Sequence, residues 1–352
     1  MAASSEPLVS ILTPVYNGEE FLAECIESVL AQNYSNWEYI IVNNCSTDGT
    51  QTVAERYART DKRIRVYQND RLLDIISNHN RAFRLISPAS KYCKVVSADD
   101  WIFPECISRM VGVAEANPSV GIVGSYQLSG GGSDGRNWRV RWAEVPYPST
   151  VIPGGDACRS RLLGGPYVFG SPTSILYRSD LVRGQEYFYP NGTAEADTSA
   201  CFKYLAESDF GFVHQVLSYE RIHSSQTSAG GRSVNSYEPS RLCDLTKYGP
   251  LYLTEAELTG RREHILRNYY NFLAASFLEN HRDLPIYRFG REKAFWDYHK
   301  RRLADAGYPL SHVRLAKCVA KKLLSLLLSP IQALEKVFRR KLIDTDWSGA
   351  GS

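Results

Sequence analysis

Three apolar runs in the first hundred residues each end in a cluster of amide, hydroxyl or acidic side chains, and this recurrence limits the fold more than any other feature. Val9 to Leu12 leads into Pro14-Val15-Tyr16-Asn17, Trp37 to Val42 into Asn43 to Gly49, and Tyr92 to Val96 into Ser97-Ala98-Asp99-Asp100. Between them, Leu22, Ile26, Val29 and Leu30 recur at helical spacing, and helices are expected over about 50–59 and 77–85, with a short strand over 64–68. Strands alternating with helices predict β-α-β units in a mostly parallel sheet flanked by helices, the Rossmann-like arrangement. Pro14 is expected to end the first strand. Ligands of such sheets gather at the carboxyl ends of the strands, where all three polar clusters fall.

Further along, the pattern predicts a helix after Pro104, strands over 120–126, 174–177 and 211–214, and a helix over 197–206. The run Ser129 to Gly135 reads as a loop near the active site or at a subdomain boundary. Beyond about Ser240 the pattern is helical throughout. The expected organisation is an α/β domain over 8–235 followed by a C-terminal helical appendage over 240–345. A chain of 352 residues, 22% charged and with a formal charge of only +3, fits neither extensive disorder nor a uniformly basic surface for nucleic acid. Eight cysteines without a Cys-x-x-Cys pair argue against a disulfide scaffold or zinc ribbon. The N-terminus lacks the basic start and apolar stretch of a signal peptide, so a cytoplasmic location is expected.

A crevice lined by Asn side chains, backbone amides and two adjacent carboxylates suits a nucleotide. The chain has no G-x-x-x-x-G-K-[ST] loop to neutralise a diphosphate, so a divalent metal on Asp99 or Asp100 is the expected neutraliser. The competing role for these two residues is capping the helix near Pro104.

The blocks Pro14-Val15-Tyr16-Asn17-Gly18, Val42 to Thr50, Ser97 to Asp100 with Pro104, Ser171 to Leu181, Glu195-Ala196-Asp197 and Arg221 to Ser228 occur in an order that resembles glycosyltransferase family 2, inverting enzymes of the GT-A fold. The resemblance covers roughly residues 8–228. It implies that Pro14, Tyr16, Asn17, Ala98 and Asp99 bind the donor nucleotide and that Asn44 faces its base. It further implies that Asp99 holds Mg2+ or Mn2+, with His223 and Asp100 as further candidate ligands. Asp197 stands where the family's Glu-Asp motif places the catalytic base, and Glu195 is the fallback. Two positions depart from the family: Asn43 and Asn44 stand where at least one Asp is usual, and Ser97 replaces the first acid of D-x-D. Asp197 could alternatively cap its helix.

The implied activity is metal-dependent transfer of a sugar from a nucleotide-diphosphate donor, first of all a UDP-sugar, to a saccharide or lipid-linked acceptor in surface-polysaccharide assembly. Alternatives are a nucleotidyltransferase and a non-catalytic nucleotide-binding scaffold of the same fold. Residues 311–341 carry eight Lys and Arg against the single acid Glu335. Arg314, Lys317, Lys321 and Ser325 share one helical face, and Leu315, Val319, Leu323, Leu326 and Leu327 the other. That amphipathic pattern makes an anionic membrane surface a candidate partner, with peripheral attachment at the inner face of the membrane. Packing of the apolar face on the protein is the competing reading.

Overall fold

The computed structural model describes residues 6–131, 138–142, 150–191, 193, 195–223, 237–280 and 289–328. The chain forms two compact units, one comprising 1–240 with 244–258 and the other 241–243 with 259–352.

The first unit is built on a sheet with the strand order β3-β2-β1-β4-β9-β6-β10-β5, with β7 on β6 and β8 on β10. Its strands are β1 (Val9–Val15), β2 (Trp37–Asn43), β3 (Ile64–Gln68), β4 (Tyr92–Val95), β5 (Trp101–Ile102), β6 (Val120–Gly130), β7 (Arg139–Arg141), β8 (Val151–Ile152), β9 (Ile175–Arg178) and β10 (Asp209–Arg221). Strands β1 to β4, β6 and β10 run in one direction, and β9 runs against its neighbours β4 and β6. The sheet is thus mostly parallel. Helices α1 (Leu22–Leu30), α2 (Thr50–Thr60), α3 (Ile75–Phe83) and α4 (Cys106–Ala116) alternate with the strands. Leu22, Cys25, Ile26 and Val29 of α1 and Met110 and Val111 of α4 bury their side chains in one core with Ile11, Tyr39 and Val123 of the sheet. Later come α5 (Gly154–Leu162), α6 (Ser179–Arg183), α7 (Ala196–Tyr204) and α8 (Tyr237–Tyr252).

Several details differ from the sequence expectation. β1 continues through Pro14 to Val15, because β4 pairs with β1 only as far as Leu12 and Val95. Pro14 points its nitrogen to that side, where no ladder donor is required. β10 is far longer than 211–214, and the two-residue β5, which pairs with it, was not expected. α4 begins at Cys106 with Glu105 at its N-cap, so Asp99 and Asp100 do not cap it. Of the run 129–135, Ser129 and Gly130 belong to β6, and 132–135 lie outside the described residues.

One buried cation ties the sheet together. Lys94, fully buried on β4, donates from Nζ to the carbonyls of Thr173 (2.6 Å) and Ile175 (3.3 Å). Burial pushes its amine below the usual lysine range. These bonds fasten the single turn of 3-10 helix Pro172–Ser174 against β4.

The second unit contains most of α9 (Glu255–Asn280) together with α10 (Phe289–Asp305) and α11 (His312–Leu328). His299 is buried, with its Nδ1 2.6 Å from the Tyr269 hydroxyl and its ring against Phe272 and Phe295. The start of α11 is docked: Ser311 N–H donates to Tyr270 Oη (2.7 Å), and Arg314 pairs with Glu263 at 3.6 Å. Toward its end Leu323, Leu324 and Leu328 are exposed. Among the described residues no helix is long and apolar enough to cross a membrane. Residues 329–341 of the basic segment lie outside the described residues.

Replacing Lys94 by Ala leaves two buried carbonyls without a donor and opens a cavity. The expected cost is about 3 kcal/mol, read as a lowered urea midpoint.

Candidate functional site

The turns after β1 and β2 are locked into each other. Asn17 adopts a left-handed backbone (φ 50°), and its Oδ1 accepts from Thr47 N–H at 2.8 Å, while its own N–H donates to Ser46 Oγ at 2.9 Å. Asp48 accepts from Thr50 N–H and Glu19 N–H, both at 3.1 Å, which makes the 46–50 turn rigid. Gly18 is required for close approach: a Cβ there would sit 2.6 Å from Val15 Cγ2 and 3.5 Å from Ala98 Cβ. Its N–H donates to Thr50 Oγ1 at 2.8 Å. The β1 turn therefore lies beside the segment that carries Asp99. Tyr16 and Asn17 are exposed, and Pro14 and Ala98 are half-buried.

Asn44 has a different setting from the one expected. It is buried, its Oδ1 accepts from Leu73 N–H (2.9 Å) and Asn69 Nδ2 (2.8 Å), and its Nδ2 donates to Leu73 O (2.9 Å). An amide can donate and accept together, so Asn44 clasps the 69–73 segment as a carboxylate could not. Asn43 is likewise buried, accepting from Ser46 N–H and donating to Gln51 Oε1.

The adjacent aspartates divide their labour. Asp100 is buried, with Oδ2 accepting from Thr173 Oγ1 (2.6 Å) and Oδ1 from Arg221 N–H (3.1 Å). Burial, then the neighbouring charge of Asp99, drives its carboxyl well above the usual range. Its geometry is that of an anchor joining three segments, not of a ligand reaching outward. Asp99 is half-buried, and its Oδ2 lies 3.1 Å from His223 Nε2. Two cis ligands about 2.1 Å from an octahedral ion stand about 3.0 Å apart, so this oxygen and nitrogen have a spacing that a divalent cation fits. Among the described residues no group of three His, Cys, Asp or Glu side chains is placed to hold a metal ion. Arg221 donates from Nε to Asp99 O (3.2 Å), pairs with Glu24, and lies 4.7 Å from the Phe21 ring centroid. The His223 ring rests on the same Phe21 at 5.0 Å. Residues 224–228 of this block lie outside the described residues.

Asp197 lies in the first turn of α7, which has Glu195 at its N-cap position and no side-chain cap. Asp197 is therefore not the helix cap. Burial pushes its carboxyl up to about 6, against the opposing pull of the Thr198 and Asp197 backbone amides. Asp197 itself is half-buried, whereas Asp244 on α8 is buried, accepts from Ser199 Oγ at 2.6 Å and is pushed by burial up to about 7. Tyr167 donates to Gly170 O at 3.0 Å and lies 2.5 Å from Thr198 Oγ1. The segment 167–174 thus touches α7 through Tyr167 and the acidic pair through Thr173.

Sequence reasoning missed Lys94, Thr173, Tyr167 and Asp244. A lysine inside the apolar run YCKVV was a legible signal, since a charge in a buried strand demands partners. Trp142 was also missed: it holds φ 67°, unfavourable for a bulky residue, and its buried indole N–H has no partner among the described residues.

Residues 10–184 match the model of the Glycosyl transferase family 2. The putative glycosyltransferase EpsE of Bacillus subtilis is 32% identical over 161 residues, covering 46% of this chain and 57% of that protein. The putative teichuronic acid biosynthesis glycosyltransferase TuaG of the same organism is 36% identical over 95 residues, covering 27% of this chain and 37% of its own length. The chain thus spans between about a third and somewhat over half of these relatives. In fold, it is similar to S. aureus TarS 1-349 in complex with UDP-GlcNAc, with TM-score 0.59 and 17% identity over 85% of this chain and 80% of that one. It is also similar to the mannosyltransferase PcManGT of Pyrobaculum calidifontis in complex with GDP-Man and Mn2+, with TM-score 0.55 and 16% identity over 91% of this chain and 88% of that one. The fold is GT-A, and residues 10–184 form a domain of glycosyltransferase family 2.

Proposed function

We propose that the chain is a metal-dependent inverting glycosyltransferase that moves a sugar from a nucleoside-diphosphate donor, a UDP-sugar first among those to test, to a saccharide or lipid-linked acceptor in surface-polysaccharide assembly. Two observations carry this reading, the raised carboxyl of Asp197 and the contact between Asp99 and His223. Asp197 has a carboxyl raised to about 6, and Asp99 lies within ligand spacing of His223. A base needs a pKa near the working pH: high enough to take a proton, low enough to be ionised at neutrality. In the proposed displacement, ionised Asp197 accepts the proton of the acceptor hydroxyl as its oxygen bonds to the anomeric carbon. The bond from that carbon to the diphosphate breaks on the opposite face, and its electron pair leaves with the nucleoside diphosphate. Asp99 and His223 would hold the divalent ion, Mn2+ or Mg2+, whose charge stabilises the departing diphosphate. Asp100 is assigned the task of holding the end of β10, and with it His223, against Asp99. Tyr16 and Asn17 are exposed on the turn whose Gly18 adjoins Ala98, which supports a role for them in meeting the nucleoside. The donor and metal classes draw support from TarS with UDP-GlcNAc and PcManGT with GDP-Man and Mn2+, and the pathway class from TuaG.

The exposed Leu323, Leu324 and Leu328, beside exposed Lys317 and Lys321, support peripheral binding of the end of α11 to an anionic bilayer. The docked start of the helix belongs to the protein.

Assays over UDP-, GDP- and dTDP-sugars with Mn2+ or a chelator test the reading. Asp197→Asn is expected to lower turnover about 10²- to 10⁴-fold with donor affinity retained, and near-normal turnover would remove Asp197 from the role. Wild-type turnover falls about tenfold per pH unit below about 6 as Asp197 protonates. A carboxyl raised in the folded state favours folding below the unfolded pKa of about 3.9, and that contribution is lost as pH rises through about 6. Asp197→Asn should therefore stabilise the protein by about 2 kcal/mol at pH 8 and not at pH 4, measured as melting temperature. For the membrane, a Leu323→Glu/Leu324→Glu variant should lose co-sedimentation with phosphatidylserine vesicles. Sedimentation equal to wild type would exclude this contact.

A further inference from the structure

A cluster of aromatic and cationic side chains next to Asp197 is left unused by the reaction described above. Trp142 and Tyr167 pack with ring centroids 4.9 Å apart, inclined at 51°. The Arg141 guanidinium lies 5.0 Å from the Trp142 ring centroid, and that of Arg161 lies 4.7 Å from the Tyr167 centroid. Tyr167 is fixed by its contact with Thr198, the residue following Asp197, and the charges of Asp197 and Glu195 act on its phenol. Arg141 is set by the sheet, pairing through β7 with Gln127 of β6. Gln127 accepts in turn from Ser171 Oγ at 2.9 Å, two residues before the Thr173 that holds Asp100. The cluster is thus connected to both acids of the site through short chains of contacts.

Trp142 carries two unfavourable features at once, the left-handed backbone and an indole N–H with no partner among the described residues. Such features persist where the surroundings impose them, and they concentrate at ligand-binding positions. Arg141 is half-buried, with its guanidinium against the indole. A half-buried aromatic pair offers a face for the C–H side of a sugar ring. A guanidinium beside it offers paired donors to a carboxylate or phosphate.

We propose that Trp142 and Tyr167 form the acceptor subsite, stacking a saccharide whose hydroxyl reaches Asp197, and that Arg141 selects acceptors bearing an anionic group. This rests on the assignment of Asp197 as the base. Arg161 and the exposed Arg139 add positive charge around the same position.

Calorimetric titration of the full chain separates this proposal from the reading beneath it. The probes are p-nitrophenyl β-D-glucoside, its 6-phosphate, and p-nitrophenyl β-D-glucuronide, with UDP titrated separately. Wild type is expected to bind at least one anionic probe about tenfold more tightly than the glucoside, and the two anionic probes distinguish a phosphate from a carboxylate acceptor. Arg141→Gln should erase that preference while sparing the glucoside. Trp142→Ala should weaken all three probes about tenfold. UDP affinity should be unchanged in both variants. Trp142→Phe, which keeps a ring, should retain most binding and guards against misfolding of the Ala variant. Equal binding of neutral and anionic probes by wild type, or an unaltered preference in Arg141→Gln, overturns the subsite while UDP binding leaves the transferase reading intact. Failure to bind UDP, GDP or dTDP overturns that reading itself.

Discussion

Lys94 is the hinge pin of the catalytic unit. Its buried amine holds the turn Pro172–Ser174 against β4, and Thr173 of that turn donates to Asp100. Asp100 in turn takes the N–H of Arg221 at the end of β10. A buried cation and a buried carboxyl, each costly alone, are satisfied through one short segment. The consequence reaches the surface: the end of β10 carries His223, and its distance from Asp99 is set by bonds made deeper in the protein. Positioning side chains in a low-dielectric setting keeps the spacing stiff, as the proposed metal site would require.

The same economy appears around Asp197. A carboxyl raised by burial is a stability cost at neutral pH, which fits the proposed use of Asp197 as a base of intermediate strength. Asp244, held by Ser199 of the same helix, adds a buried acid whose carboxyl is also raised. The surroundings of the two acids are unlike: Asp99 lies beside His223, near exposed Tyr16 and Asn17, whereas Asp197 lies near the buried Asp244 and the tilted ring pair of Trp142 and Tyr167.

Much of this was legible from the chain. The strand ends at Asn17, Asn43 and Asp99 were found because period and polarity change abruptly there, and local pattern is enough to reveal that. Asp197 could be singled out because its block stands in order with the others. The passage of β1 through Pro14 was not legible, since it depends on where β4 stops pairing. Nor was the role of Asn44, whose partners at 69 and 73 are set by the path of the chain after β3.

The sequence by itself determined the fold class and the family and singled out Asp99, Asp100 and Asp197 as candidates, because these follow from short-range pattern and ordered blocks. Only the tertiary structure decided how the adjacent aspartates differ. Asp100 meets Thr173 and Arg221, 73 and 121 residues away, and is withdrawn from solvent, whereas Asp99 meets His223, 124 residues away, and stays half exposed. It also decided that Trp142 and Tyr167 stand next to the helix of Asp197. Such assignments rest on desolvation and on contacts between distant segments, and neither quantity exists until the chain is folded.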